Sequence, residues 1–151
     1  MANTQAMTTS FKGEILTATH NFGTAPIRAA TTADTFKAAL YETTATLGAA
    51  TTAYTTTSEV SGAGYTPGGV TVTNATPPAT SGTTAYWTPS ASITYSSVTL
   101  STAFDAVLIY NSSQSNKAVS VHTFGSQTIT AGTFTLLMPA NAAGTALLNI
   151  A

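Results

Sequence analysis

The chain has 151 residues and no cysteine, and only 6% of its residues are charged, for a net charge of −1. This composition excludes a disulfide framework and thiolate chemistry, and it provides no basic surface for nucleic acid. A chain of this length can bury roughly two-thirds of its unfolded surface, so we expect one domain with a conventional core. So little charge gives weak repulsion between copies, which favours a subunit of an assembly.

The N-terminal segment MANTQAMTTS carries no signal for export. It lacks the positive and apolar regions of a secretory signal, and the longest strongly apolar run of the chain, AVLIY, is far too short to span a membrane. We therefore expect a protein made in a cytoplasm, with no membrane partner. Residues 1–9 are predicted to form an N-terminal arm that reaches a neighbouring subunit, and residues 10–151 a single β-sandwich domain.

One amphipathic helix is predicted at about 10–22. Ser10 can cap its N-terminus, and Gly23 and Pro26 end it. Its apolar stripe at helical spacing consists of Phe11, Ile15, Ala18 and Phe22. A helix of about three turns is marginal alone in water. We therefore expect this stripe to close one edge or end of a β-structure.

From residue 33 onward the pattern changes to the alternation that is typical of short strands. The predicted strands in this part are 33–42, 70–74 and 84–95, the last with Pro89 at an edge or a bulge. Residues 46–69 and 75–82 are rich in glycine and proline, and we expect them to be irregular.

The clearest predicted unit is a hairpin in which STAFDAVLIYN and KAVSVHTFG flank the turn SSQSN. Pairing Ile109 with Val119 and Val107 with Val121 places four β-branched residues on one face. The opposite face then consists of Leu108, Tyr110, Ser120 and His122.

Two more predicted strands, 132–139 and 145–151, bring the total to seven or eight short strands separated by turns. This pattern predicts an all-β fold, an antiparallel β-sandwich of Ig-like or jelly-roll-like type, with one short N-terminal α-helix. Threonine suits this fold because it is β-branched and covers a solvated face without charge.

Residues that carry chemistry are few and scattered. The two histidines, His20 and His122, show no metal-ligand spacing, and the five carboxylates never occur as a close pair. The loop SGAGYTPGG lacks the Gly-Lys-Ser/Thr ending of a phosphate-binding loop. We therefore expect no enzymatic activity, no metal and no cofactor.

Two groups of residues are candidates for contact with partners. Leu108 and Tyr110 form a large uncharged face of the hairpin, which is typical of an interface unless a second sheet or the N-terminal helix of the same subunit covers it. The aromatic residues Tyr54, Tyr65, Tyr86 and Trp87 could instead form a platform for a glycan or receptor. The candidate interaction residues are Phe11, Ile15, Phe22, Leu108, Tyr110, Tyr65, Tyr86 and Trp87.

The order of motifs over residues 4–151 resembles the small structural proteins of tailed bacteriophages. The motifs include MANTQAMTTSFKGEIL, DTFKAALY, SGAGYTPGGVTVTN, TSGTTAYW, AVLIYN, NKAVSVHTFGSQTITAGTFTL and LLNIA. The resemblance implies a virion component made in the host cytoplasm, most directly a capsid cement or decoration protein. Such a protein stabilises the head through contacts with the major capsid protein or other virion proteins.

We also expect a homo-oligomer, and the net charge of −1 predicts no direct contact with nucleic acid. Two alternatives stay open. One is a subunit of the tail or of the head–tail junction, and the other is a glycan- or receptor-binding β-sandwich module.

Overall fold

The computed structural model describes residues 2–16, 19–20, 22, 33–73 and 77–151. In this part, the chain is an all-β antiparallel sandwich with one short helix, which confirms the predicted fold class. Its elements are β1 (Ala6–Met7), α1 (Thr9–Leu16), β2 (Phe36–Glu42), β3 (Val70–Thr71), β4 (Ala79–Ser81), β5 (Thr84–Trp87), β6 (Ile93–Asn111), β7 (Lys117–Leu136) and β8 (Leu148–Ile150).

The strands form two sheets. The larger has five strands in the order β1-β7-β6-β2-β3, and the smaller has three in the order β4-β5-β8. Trp87 and Leu148 of the smaller sheet are buried in one core cluster with Phe36 and Ile109 of the larger sheet. The main core therefore lies between the two sheets, as the sandwich prediction requires.

Helix α1 is shorter than predicted and begins earlier. Thr8, not Ser10, supplies the cap, because its hydroxyl accepts a hydrogen bond from the Phe11 backbone N–H at 3.3 Å. The helix ends at Leu16, six residues before the predicted end. Glycine helps to explain the short length, because Gly13 within the helix is a poor helix former. The predicted C-terminal signals, Gly23 and Pro26, lie outside the described residues.

Strand β2 is buried on both faces. Phe36, Ala38 and Leu40 belong to the main core, as the alternation predicted. Ala39 and Tyr41 on the other face pack into a second cluster with Leu47 and Leu108, among others. A third layer therefore lies behind the larger sheet, formed by irregular chain and not by a further sheet.

The β6–β7 hairpin is longer than predicted and has another register. β6 has 19 residues and β7 has 20, so the predicted strand 132–139 is largely the distal part of β7. The sequence-based pairing of Ile109 with Val119 and Val107 with Val121 is wrong. Ile109 pairs with Ser120 and Val107 with His122, while Leu108 pairs with Val121.

A β-bulge explains the error in register. The pairing shifts between Ile109 and Tyr110, so Val119 is an extra residue opposite a continuous partner strand. One extra residue moves every following side chain to the other face, because the period of a strand is two. Ser120 and His122 consequently join the face of Val107, and Val121 joins Leu108.

Other predicted elements agree in place but differ in extent. β2 and β3 lie within the predicted strands, and β8 is a three-residue part of the predicted strand 145–151. The predicted loop 75–82 contains strand β4, which pairs with β5 across a turn that holds Gly82. Strand β3 ends at Thr71, and Asn74, the predicted end, lies outside the described residues.

The segment predicted as an arm lies along its own chain. Met7 pairs with Ser120 in β1–β7, and the Asn3 side-chain amide donates a hydrogen bond to the Asp105 carboxylate at 2.6 Å. The Thr4 N–H donates to the Leu47 carbonyl oxygen at 2.9 Å. These contacts make residues 2–8 part of the sandwich in the single chain.

Candidate functional site

A series of polar side chains fastens α1 to the turn between β6 and β7. The Lys117 ammonium forms an ion pair with the Glu14 carboxylate. The other oxygen of Glu14 lies 2.7 Å from His20 Nε2. Asn111, which is fully buried, places Nδ2 at 3.1 Å from His20 Nδ1 and 2.8 Å from Asp34 Oδ2. We call these five residues the α1 network.

Hydrogen-bond chemistry assigns His20 its neutral form with the proton on Nε2. The Asn111 amide nitrogen only donates, so Nδ1 of His20 must accept, and Nε2 then donates to Glu14. Burial lowers the pKa of His20, which the hydrogen bond and charge of Glu14 only partly oppose. Both ring nitrogens are occupied, so this histidine holds the helix and is not free to act as a base.

The Glu14 carboxylate balances two opposing effects. Burial raises its pKa, but the hydrogen bonds from Lys117 and His20, together with the charge of Lys117, outweigh this and hold the pKa below its usual value. Glu14 is therefore ionised at neutral pH and serves as the anchor of α1.

An apolar pocket of about 180 Å³ lies beside the α1 network. Phe11, Ile15 and Phe22 line one side, and Ala85, Tyr86, Trp87, Leu148 and Ile150 of the smaller sheet line the other, with His20 and Pro78 completing the wall. The rings are closely packed, since the centroid of Phe22 is 4.4 Å from that of Phe36 and 4.7 Å from that of Trp87. We call this cavity the α1 pocket.

The glycine-rich loop is organised around the buried carboxylate of Glu59. Its Oε1 accepts hydrogen bonds from the Tyr65 hydroxyl and the Gly68 N–H, each at 2.7 Å, and its Oε2 accepts one from the Tyr54 hydroxyl at 2.6 Å. Burial and the Glu59 contact raise the pKa of both tyrosines. The Tyr110 hydroxyl adds a bond to the Gly68 carbonyl oxygen at 2.8 Å. The loop is therefore bound to the sheet and does not form a phosphate cradle.

His122 and Ser120 form a second polar pair, next to a smaller cavity of about 130 Å³ at the β6–β7 hairpin. His122 Nε2 lies 2.9 Å from Ser120 Oγ, and burial lowers the pKa of His122 to about 4. Nucleophilic catalysis needs an accessible hydroxyl next to a base. Ser120 is 1% exposed, so this pair is a satisfied core contact.

The described residues hold no group of three or more histidine, cysteine or acidic residues that could bind a metal ion. None of the helices in the described part of the chain is long and apolar enough to cross a membrane. The polar side chains of the α1 network and those around Glu59 are hydrogen-bonded to one another. They hold α1 and the glycine-rich loop against the larger sheet.

The predicted interaction residues divide into two groups by burial. Leu108 and Tyr110 are 0% and 3% exposed, because the irregular layer around Leu47 and Tyr54 covers them. The same subunit therefore covers this face, which is the second of the two alternatives weighed above, although neither a second sheet nor α1 forms the cover. Tyr65 is buried at Glu59.

The remaining predicted residues do meet at one place. Phe11, Ile15, Phe22, Tyr86 and Trp87 all line the α1 pocket, which connects the predicted helix stripe with the predicted aromatic strand. The four glycan candidates do not share a face in the described structure. Tyr54 stacks on Tyr110 with ring centroids 4.8 Å apart, whereas Trp87 is buried between the sheets.

Sequence reasoning missed the roles of Glu14, Glu59 and Asn111. Glu14 and His20 are six positions apart and α1 ends at Leu16, so helical spacing gives no sign of their contact. Glu59 lies just ahead of the glycine-rich segment that it organises, so a lone carboxylate beside such a segment was the available signal.

Leu137 is a further residue that the sequence did not single out. It is 81% exposed and follows directly on Leu136, the last residue of β7. It stands within a part of the chain, Ala118–Ala151, that contains no charged residue at all.

Comparison with known proteins found no matching family model, no matching curated protein and no matching solved structure.

Proposed function

We propose that this chain is a structural component of a tailed-phage virion, and specifically a decoration protein that binds the capsid and stabilises the head. Its partners are the major capsid protein or other virion proteins, together with further copies of itself. The motif resemblance over residues 4–151 is one support for this proposal. The other is the chemistry of the surface.

The single observation that carries the proposal is the uncharged C-terminal surface. Every charged residue lies between Lys12 and Lys117, and the exposed positions from Gly125 to Ala151 are mostly threonine, serine, glycine and alanine. Free proteins rely on charge to stay apart and to guard exposed strand edges. Depletion of charge is typical of the buried part of an interface. A surface of this kind suits a subunit that neighbours cover.

A non-enzymatic role agrees with how the titratable groups are used. His20 is held between Glu14 and Asn111, and His122 is bonded to a buried serine. Glu59 accepts three hydrogen bonds that order the glycine-rich loop. These groups all stabilise the fold through hydrogen bonds. They are therefore poorly suited to act as the reactive acid or base of a catalytic centre.

Particles that lack the protein provide the test. We expect heads without it to lose their genome at a lower temperature, and re-addition of purified protein to restore the wild-type temperature. Substituting Thr128→Lys and Thr133→Lys together on the uncharged surface is expected to abolish this rescue. Thr44→Lys with Thr57→Lys, at exposed positions in the charged part of the chain, is the matched control and is expected to restore stability.

The outcomes separate the alternatives. Particles with unaltered heat stability but defective tails would favour the tail or head–tail junction role. Specific sugar binding by the isolated protein, weakened by Tyr86→Ala, would favour the glycan module. Neither result is expected from a decoration protein.

A further inference from the structure

Large hydrophobic side chains are exposed at only three positions among the described residues. They are Ile15, Ile150 and Leu137, with 38%, 43% and 81% of their surface exposed. Ile15 and Ile150 both belong to the lining of the α1 pocket. Leu137 lies at the other cavity, next to the end of the β6–β7 hairpin. The exposed apolar surface is thus a recess with an apolar rim and one protruding leucine.

The α1 pocket is suited to one aliphatic side chain. Its volume of about 180 Å³ exceeds that of a leucine side chain, and none of the described residues that line it is formally charged. His20 contributes a ring whose two nitrogens are already bonded to Glu14 and Asn111, so the wall offers no free ring nitrogen to a polar ligand. An apolar occupant therefore fits better than a sugar or an anion.

Leu137 is held in its outward position. Its neighbours Leu136 and Met138 pack against the main core, whereas Leu137 between them is 81% exposed. The Met138 N–H donates a hydrogen bond to Ser92 Oγ at 3.4 Å, which fixes the chain just after the leucine. A side chain presented in this way loses little freedom on binding, so it is suited to anchor an interface.

We propose that Leu137 of one copy inserts into the α1 pocket of the next copy. The two surfaces share no lining residue, so the contact joins different patches on the two partners and is heterologous. Repetition of such a contact gives a ring when the rotation closes and a lattice or filament when it does not. None of the described residues that line either cavity is formally charged, so these residues add no charge repulsion to the contact.

This inference deepens the proposed function, because it rests on a many-copy structural role, and it can be tested without particles. The chain contains no cysteine, so single cysteines can be introduced at will. We expect a mixture of Leu137→Cys and Ile150→Cys protein under mild oxidation to give a disulfide-linked heterodimer. Thr57→Cys, at an exposed position in the charged part of the chain, mixed with Ile150→Cys is the matched control and is expected to give little product.

Charged variants test the same contact by complementation. Leu137→Asp removes the inserted side chain, and Ile150→Asp places a charge at the rim of the pocket. We expect each to weaken self-association about 10- to 100-fold, while an equimolar mixture forms a 1:1 dimer through its one intact pair of surfaces. Circular dichroism spectra and melting temperatures establish that both variants are folded. Thr57→Asp, at an exposed position away from both surfaces' lining residues, is expected to associate like the original protein.

Three results would overturn the inference. They are a monomeric original protein at high concentration, a dominant Leu137→Cys homodimer that indicates like surfaces in contact, and a mixture of the two charged variants that stays monomeric. Each concerns the purified protein alone. The proposed virion role fails on different grounds, namely when particles without the protein keep their full heat stability.

Discussion

Glu14 of α1 and Lys117 at the start of β7 form an ion pair although 103 positions separate them in the chain. This contact explains how a helix of eight residues, too short to be stable alone, is retained in the fold. The helix is held by charge on one side and by the rings of the α1 pocket on the other. Its attachment is therefore sensitive to single substitutions.

Glu14→Ala is expected to cost more stability than Lys117→Ala. The glutamate substitution leaves the buried His20 Nε2–H without its acceptor. We estimate the resulting loss in the free energy of unfolding at about 2 kcal/mol. Lys117 is 39% exposed, so loss of its screened charge is expected to cost at most about 1 kcal/mol. Urea unfolding of both variants measures the two values. Equal costs would show that the ion pair, and not the histidine contact, holds α1.

Asn111→Asp is expected to destabilise the protein strongly at neutral pH. The new carboxylate replaces the amide that now donates to Asp34 Oδ2 at 2.8 Å, so two negative groups meet at a fully buried position. The loss is expected to shrink as the pH falls and one carboxyl takes up a proton. Asn116→Asp, at an exposed position in the same turn, is the control and is expected to change the melting temperature little at any pH.

Glu59→Gln is expected to loosen the glycine-rich loop. An amide group presents a donor where the carboxylate now accepts from Tyr54, or from Tyr65 and Gly68, so at least one donor loses its partner. We expect a loss of about 1–3 kcal/mol and a changed near-ultraviolet circular dichroism spectrum of the tyrosines. Tyr54→Phe removes only one of these bonds and is expected to cost less. An unchanged spectrum in Glu59→Gln would contradict this account of the loop.

Gly69→Ala is expected to be far more damaging than Gly82→Ala. Both residues have positive φ angles, 70° and 57°, so both variants carry the backbone strain of a left-handed residue. Only at Gly69 would the added Cβ overlap the Ala38 carbonyl oxygen, whereas the space around Gly82 is open. The melting temperature of Gly82→Ala reports the backbone strain alone, and that of Gly69→Ala reports the backbone strain together with the steric overlap. Similar losses would show that the loop does not approach β2 so closely.

The buried histidines predict weaker stability in acid. Burial lowers the pKa of His122 to about 4, below its ordinary value of about 6.5 in the unfolded chain. The unfolded state therefore binds more protons between these values, and stability is expected to fall as the pH drops from about 6.5 to about 4. The lowered pKa of His20 acts in the same direction.

His122→Gln isolates the first of these contributions. Glutamine can keep a hydrogen bond to Ser120 but does not titrate in this range, so its stability is expected to fall less steeply with acid. Thermal unfolding at pH 7, 6, 5 and 4 measures the difference. Parallel curves for the two proteins would show that His122 does not contribute.

The sequence was sufficient for the fold class because alternation of large apolar residues is the direct consequence of a half-buried strand. Phe36, Ala38 and Leu40 show this most clearly. The hairpin register could not be predicted, because the bulge at Val119 leaves no compositional sign and moves Ser120 and His122 to the other face. The burial of Leu108 could not be predicted either, because an irregular layer covers it. Irregular segments show no periodic pattern of apolar residues.

For the candidate site, the sequence predicted the apolar part better than the polar part. Phe11, Ile15 and Phe22 were predicted as one helix stripe and Trp87 as a separate aromatic candidate, and the fold brings all four to one pocket. The α1 network joins Glu14 and His20 to Asp34, Asn111 and Lys117, which are distant in the sequence, and contacts of this kind follow from tertiary structure alone.

The copy number of this protein in purified particles tests the central claim most directly. Quantitative mass spectrometry against the major capsid protein gives that ratio. The decoration role predicts copies on the order of hundreds per particle, in fixed proportion to the capsid lattice. Particles that assemble in cells expressing the protein but do not contain it would contradict the claim.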